Sequence, residues 1–224
     1  TTEMRKNDMN YMATCPSLVS YFMLMKEIKG VSDYLVHALP EEAKRFSSVD
    51  LQQLEHLYTT IYKPMFPEHS YTSSIALMLQ SLNQIKVGGN YIDFTAPDLQ
   101  GTPVRLSEQI DGKVALIDLW ASWCGSCRRA AKSMIPVYEK YKSKGFTVVG
   151  IAREKAVQTA AVAAAQDGYP WKILVEIKDA GNIWSMYGVG NSGGGTFLVD
   201  RDGKILAISP TAEEVEDILK KLLE

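Results

Sequence analysis

The feature that most constrains this chain is the apolar run VALIDLW, residues 114–120, which leads within four residues to a Cys-x-x-Cys pair. A nearly continuous apolar run of this length is typical of a strand that is covered on both faces. After the pair, Cys124 and Cys127, a helical pattern continues to Lys144 and stops before Gly145. Cations in the last turn and a glycine just past it are common helix stop signals. The sequence therefore predicts two sulfurs at the point where a buried strand becomes a helix.

From residue 89 onward, strand and helix patterns alternate. This order predicts an α/β domain over residues 89–224, with a mixed central sheet flanked by helices. The other predicted elements are short strands joined by turns over 91–113, a strand at 146–152, a helix closed by Gly168, an extended segment at 171–177, a short helix at 182–189, a hairpin over 196–208, and a terminal helix capped by Thr211 and Glu214.

The first 88 residues have a different pattern, in which apolar residues recur at spacings of three and four. This spacing predicts an all-helical region, 1–88, with three to five helices. The segment from Phe22 to Met25 is apolar almost all round and must pack against something. The candidates are the second half, a missing N-terminal portion or another subunit, so self-association through this region is one alternative.

Composition narrows the class of partner. A formal net charge of -2 gives no electrostatic reason to expect nucleic acid or an anionic membrane as a partner. We also expect no transmembrane segment, because no apolar stretch approaches the roughly 20 residues that a membrane span requires. The first residues, TTEMRKND, contain no signal or anchor pattern.

A Cys-x-x-Cys pair either binds a metal or exchanges electrons with a disulfide. A structural zinc site needs about four nitrogen or sulfur ligands. The three histidines and Cys15 all lie in the helical half, far along the chain from the pair. We therefore expect redox chemistry with no bound metal, and no cofactor other than the cysteine pair itself.

The position of the pair suggests a role for each sulfur. Unpaired N–H groups at a helix start favour a thiolate, so Cys124 is predicted to be the attacking and more exposed sulfur. Cys127, one turn further in, is predicted to be more buried and to resolve the mixed disulfide. Asp118 lies in the apolar strand, where burial raises a carboxyl pKa, and is predicted to exchange the required proton. The alternative is an ordinary aspartate that is hydrogen-bonded to backbone. Trp120 and Trp123 are predicted to pack beside the sulfurs and shape the surface.

The stretch DLWASWCGSC resembles the active-site segment of the thioredoxin superfamily, and Asp118 matches the position of that family's buried acid. The segments APDLQGTPVRLSE, YEKYKSKGFTVVGIA and TFLVDRDGKI are similar to the TlpA/ResA-like, AhpC/TSA-related branch of bacterial thiol–disulfide oxidoreductases. The resemblance covers residues 90–224. It implies a thioredoxin-like fold, protein thiol or disulfide substrates and an upstream thiol–disulfide electron donor. The helical half resembles the region that precedes such domains in Bacteroidetes envelope proteins, which implies a periplasmic or cell-envelope location.

Two departures from this family concern the cysteines and the buried acid. Gly125 and Ser126 stand between the cysteines where thioredoxin has Gly-Pro, which leaves the direction of electron flow open. Ala130 stands where the ResA-like branch usually has a glutamate, so the role of buried acid falls to Asp118 alone.

A third departure is Gly194, which stands where the family has a cis-proline. Because a cis bond before a residue other than proline is costly, we expect a trans peptide or another loop path here. In the family this loop faces the cysteines and offers backbone hydrogen bonds to a substrate. Gly194, Gly195 and Thr196 are therefore predicted to surround the active site, with a passive turn as the alternative. The glycines are also expected to leave open space beside the sulfurs.

The sequence thus predicts a thiol–disulfide oxidoreductase that exchanges electrons with cysteines of envelope proteins, more as a reductant than as an oxidant. One alternative is a peroxiredoxin-like peroxidase, although Ala121 stands where such enzymes have an activating threonine. Another is a redox-inert or metal-handling module. Cys15 is predicted to be a bystander, with an intermolecular or resolving role as the alternative.

Overall fold

The computed structural model describes residues 2–37, 48–190 and 193–224, without the side chains of 2–5, 32–37 and 48–50. The chain divides into two compact units, residues 1–83 and 84–224. We call them the helical unit and the α/β unit. A division into compact units does not show that each unit folds by itself. The domain boundary between residues 88 and 89 therefore stays a prediction.

The described part of the helical unit contains four helical segments, within the three to five predicted. Leu24 is buried in this unit's own core, whereas Phe22 is 44% exposed. The core also holds Tyr21 and Tyr62, whose stacked rings lie 4.9 Å apart. The segments are α1 (Thr2–Thr14), α2 (Leu18–His37), α3 (Ser48–Leu57), which continues through a π-helical turn (Tyr58–Tyr62) into α4 (Lys63–Met65), and α5 (Ser70–Gln84).

The α/β unit is built on a five-stranded mixed sheet, as predicted. Its strand order is β5-β4-β3-β6-β7, with β3, β4 and β5 parallel, and with β6 and β7 antiparallel to their neighbours. A separate two-stranded hairpin, β1 and β2, precedes it. The elements are β1 (Thr95–Pro97), β2 (Pro103–Arg105), α6 (Leu106–Ile110), β3 (Val114–Trp120), α7 (Gly125–Tyr141) with a 3-10 turn (Lys142–Lys144), β4 (Phe146–Glu154), α8 (Val157–Asp167), β5 (Lys172–Ile177), α9 (Ile183–Met186), β6 (Gly195–Val199), β7 (Ile205–Ile208) and α10 (Ala212–Leu223).

One element differs from the sequence-based expectation. The strand expected after the first turn stops at Arg105, and Leu106–Ile110 form α6 instead. Leu106 and Ile110 are both buried and stand four residues apart, which places them on one face of a helix. The short segment therefore buries two large side chains by helical rather than by alternating spacing.

β3, the strand that leads to the cysteines, is enclosed, and all seven of its residues are buried. On one of its faces, Leu116 and Trp120 join a core formed with α7, α8 and α10. The predicted helix stops are present, since Gly145 and Gly168 adopt left-handed conformations with φ of 97° and 71°. A rigid strand covered by helices therefore fixes the backbone that leads to the cysteines.

Candidate active site

Cys124 is the N-cap residue of α7, as the sequence predicted. Its backbone is extended, with φ -86° and ψ 90°, and its Sγ accepts a hydrogen bond of 3.3 Å from the Cys127 N–H. The Cys124 N–H donates to the Ala121 carbonyl, and the Arg128 N–H donates to the Cys124 carbonyl. Cys124 and Cys127 are joined by a disulfide, with their Cα atoms 5.4 Å apart. The sulfurs therefore sit at the start of the helix, where free N–H groups favour a thiolate.

The predicted order of exposure of the two cysteines is wrong. Cys124 is only 5% exposed, whereas Cys127 is half-buried. As the capping atom, Cys124 Sγ turns back against the first helical turn, where it also lies 3.5 Å from Ser126 Oγ. In the disulfide form, the capping residue is thus also the less exposed of the two cysteines.

Asp118 lies in the middle of β3, opposite Gly150 of β4 and Thr196 of β6, and is 3% exposed. Burial raises the pKa of its carboxyl from 3.8 to about 7, as expected for a carboxylate removed from water. Within the described residues, the carboxyl group has no hydrogen bond or ion pair. The alternative of a backbone-bonded aspartate is therefore not observed, while the role of proton carrier stays a prediction.

The loop before β6 approaches the sulfurs closely. The Gly194 N–H donates to Cys127 Sγ at 3.2 Å. A Cβ at Gly194 would overlap the Leu119 carbonyl oxygen and would lie 2.9 Å from Cys127 Sγ. The prediction that glycine leaves open space here is therefore wrong, because the backbone itself occupies the space. No peptide bond of the described residues is cis, and Gly195 begins β6 opposite Leu119.

Two tryptophans flank the cysteines in different ways. Trp120 is fully buried, and its ring meets that of Tyr169 edge to face at 5.1 Å. Trp123 is 57% exposed and lies 6.2 Å from the ring of buried Trp184. Trp120 therefore packs beneath the active site, and Trp123 forms part of its surface. Gly125 and Ser126, between the cysteines, are exposed.

Sequence reasoning missed the side chains that hold the active-site loop. Buried Glu154, at the end of β4, accepts a hydrogen bond from the Ser122 N–H at 2.5 Å. Arg128 donates to the Ser122 carbonyl at 3.3 Å and contacts Asp167 at the end of α8. The sequence offered no specific signal for the two acids, because Glu154 lies 32 residues from Ser122 and Asp167 lies 39 residues from Arg128.

A further buried acid, Glu176, supports the short helix next to Trp123. Its two carboxylate oxygens accept hydrogen bonds from the N–H groups of Ile183 at 2.7 Å and Trp184 at 3.3 Å. Burial raises the pKa of this carboxyl. These contacts satisfy N–H groups at the start of α9, so capping of this helix accounts for the buried carboxyl of Glu176.

The described residues contain no cluster of three or more histidine, cysteine or acidic side chains that could hold a metal ion. Among them there is also no helix long and apolar enough to span a membrane. The expectation that the protein needs no cofactor beyond the cysteine pair stays a prediction.

Comparison with known proteins agrees with this geometry. The sequence model of the AhpC/TSA family matches residues 87–208. The thiol–disulfide oxidoreductase ResA of Bacillus thuringiensis (strain Al Hakam) is 30% identical over 142 residues, which cover 62% of this chain and 80% of that protein. Among solved structures, a DsbE-like thiol:disulfide interchange protein from Chlorobium tepidum is 32% identical, with a TM-score of 0.55, and covers 63% of this chain and 100% of that one. The thioredoxin domain of a thiol–disulfide oxidoreductase from Bacteroides vulgatus is 25% identical, with a TM-score of 0.57 and the same coverage.

Proposed function

The chain belongs to the AhpC/TSA family as a TlpA/ResA-like thiol–disulfide oxidoreductase of thioredoxin fold, and on that premise we propose that it reduces disulfides of bacterial envelope proteins. The single observation that carries the proposal is the capping position of Cys124. There the N–H groups at the start of α7 stabilise a sulfur anion, the species that attacks a disulfide.

In the proposed reaction, the Cys124 thiolate attacks one sulfur of a substrate disulfide, and the other substrate sulfur leaves as a thiolate. Cys127 then loses its proton and attacks Cys124 Sγ, which breaks the bond to the substrate and forms the Cys124–Cys127 disulfide. The substrate gains two electrons, and the enzyme loses them. A thiol–disulfide donor upstream restores the dithiol.

Asp118 is the proposed acceptor of the Cys127 proton. Its pKa of about 7 allows the carboxyl group to exchange a proton near neutral pH. Asp118 lies in β3, the strand that leads to the cysteines, and the loop at Gly194 lies against both Cys127 Sγ and the carbonyl of Leu119, the residue after Asp118. Proton uptake by a buried carboxyl supports the closing step, which releases the reduced substrate.

The location in the periplasm or cell envelope is also part of the proposal. It is supported by the similarity to proteins named ResA and DsbE and by the resemblance of the helical half to envelope proteins. The exposed apolar side chains of Leu18, Val19 and Phe22 on α2 support self-association as a finer part of the proposal. Light scattering of the wild type and of Val19→Glu tests this part, and equal monomer masses at high concentration would reject it.

The alternatives have less support. A peroxidase would want an activating threonine three residues before the attacking cysteine, but that position holds the buried Ala121, which offers only its backbone carbonyl to the Cys124 N–H. A metal-handling module would want further ligands, and the described residues contain no such cluster.

The proposal is tested by reduction of insulin with dithiothreitol as the electron source. We expect the wild type to accelerate insulin precipitation and the double variant Cys124→Ser/Cys127→Ser to match the reaction without protein. Equal rates for wild type and double variant would reject the enzyme. A glutathione titration then gives the reduction potential, and a value far above that of thioredoxin, about -270 mV, would reject the direction of electron flow. Consumption of hydrogen peroxide by the wild type would instead favour the peroxidase.

A further inference from the structure

Each sulfur of the pair accepts a hydrogen bond from a different backbone N–H. The donor to Cys124 Sγ is the Cys127 N–H at 3.3 Å, within α7 itself. The donor to Cys127 Sγ is the Gly194 N–H at 3.2 Å, from a loop 67 residues further along the chain. The first contact follows from helix capping. The second requires the loop before β6 to reach the second sulfur.

This approach depends on glycine. Any side chain at Gly194 would place its Cβ against the Leu119 carbonyl oxygen and within 2.9 Å of Cys127 Sγ. Proline, the residue at this position in the family that the sequence resembles, has no N–H to donate. Gly194 thus combines a free N–H with a backbone close enough to the sulfur to use it.

We propose that the Gly194 N–H stabilises the anion of Cys127 in the reduced enzyme and is a catalytic group of the closing step. A hydrogen bond to a charged sulfur is stronger than one to a neutral thiol sulfur, so the contact favours the thiolate over the thiol and raises the fraction of Cys127 that can attack Cys124 Sγ. The role in closing the reaction rests on the proposed function.

In the closing step, one proton and one electron pair leave Cys127 for different partners. The Cys127 thiol gives its proton to Asp118 or to solvent and remains as a thiolate that accepts the Gly194 N–H. Its electron pair forms the bond to Cys124 Sγ, while the bond between Cys124 Sγ and the substrate sulfur breaks. The substrate sulfur leaves with that electron pair as a thiolate and takes a proton from solvent.

The test measures the acidity of Cys127 alone, in the variant Cys15→Ser/Cys124→Ser, which leaves a single thiol. An ester in place of the amide between residues 193 and 194 removes the N–H without adding a side chain. We expect the ester to raise the pKa of the Cys127 thiol by about one unit, which slows alkylation by iodoacetamide about tenfold below that pKa.

The matched control is an ester at Gly112, in the turn before β3 and therefore at the opposite end of that strand from the cysteines. Circular dichroism verifies that each protein is folded. An unchanged Cys127 pKa in the folded ester at 194, or an equal shift from the ester at 112, would overturn the inference. If the shift occurs but the wild type fails to reduce insulin, the proposed function fails and the stabilisation of the sulfur anion stands.

Discussion

Arg128, the residue after Cys127, makes a two-point contact with Asp167, with Nε 2.6 Å from Oδ2 and Nη2 3.0 Å from Oδ1. Lys132 adds an ion pair of 2.8 Å, and the Tyr169 hydroxyl donates to the same carboxylate. Asp167 closes α8, whereas Arg128 and Lys132 belong to α7. The contact therefore ties the start of the active-site helix to a second helix.

Asp167→Asn is expected to lower the free energy of unfolding by about 2 kcal/mol at pH 7, because it removes the carboxylate that these donors share. Hydrogen bonds from Arg128 hold the pKa of Asp167 well below its usual range. The stabilisation is therefore present above about pH 4 and is lost as the pH falls through the folded pKa. Urea unfolding should show that the free energies of unfolding of the wild type and Asp167→Asn differ less at pH 3 than at pH 7. Glu216→Gln, which breaks the exposed pair with Lys140, is the control. An equal effect of both variants at pH 7 would contradict this account.

Cys127→Ser is expected to accumulate a mixed disulfide with a substrate, whereas Cys124→Ser is not. Cys124 caps α7. In the proposed reaction it therefore attacks first, while Cys127 only releases the substrate. Non-reducing electrophoresis after incubation with reducible insulin distinguishes the two variants, in a Cys15→Ser background that removes the exposed third thiol. Trapping by Cys124→Ser alone would reverse the assigned roles, as the greater exposure of Cys127 would then suggest.

Asp118→Asn is expected to slow the closing step about 100-fold at neutral pH, the usual effect of losing a positioned base. In the wild type the step should accelerate as the pH rises through about 7, because only the ionised carboxylate can take the Cys127 proton. The asparagine variant should lack this inflection. Stopped-flow release of a dye-labelled peptide thiol from the mixed disulfide measures the rate, with exposed Asp217→Asn as the control. A retained inflection near pH 7 in Asp118→Asn would rule out the proposed base.

Asp118→Asn is expected to slow the closing step but to raise the free energy of unfolding. A carboxyl whose folded pKa exceeds its unfolded value destabilises the fold once it ionises. The stability that the protonated carboxyl contributes to the fold is therefore fully present below about pH 4 and is lost as the pH rises towards 7. The loss is at most about 4 kcal/mol, from a shift of roughly three pKa units. Asp118→Asn should thus gain stability relative to the wild type between pH 4 and pH 8. Thermal unfolding of the oxidised proteins tests this, and parallel curves for the two proteins would refute it.

Gly194→Ala is expected to destabilise the oxidised protein by about 1–3 kcal/mol, because the added Cβ would overlap the Leu119 carbonyl oxygen. Gly125→Ala is the matched control, since its Cβ would meet only the Arg129 guanidinium at an ordinary 3.6 Å. Denaturant unfolding compares the two. Equal stability of Gly194→Ala and the wild type would show that the loop has room to move away from β3.

Much of the fold could be predicted because its signals are local. The apolar run of β3, the helix stops at Gly145 and Gly168 and the capping box at Thr211 each depend on residues within a few positions of one another. The short helix α6 was missed, since five residues are too few to separate helical from alternating spacing.

The sequence by itself determined that a buried strand delivers two cysteines to a helix start and that one acid lies inside that strand. Only the tertiary structure decided what surrounds them. The antiparallel pairing of β6 with β3 places the Gly194 N–H within hydrogen-bond distance of Cys127 Sγ. The parallel pairing of β4 with β3 places Glu154 within hydrogen-bond distance of the Ser122 N–H. Local hydrogen bonding fixes where a helix begins, but which backbone meets which sulfur depends on strands that are distant in the chain and pair only when the sheet forms.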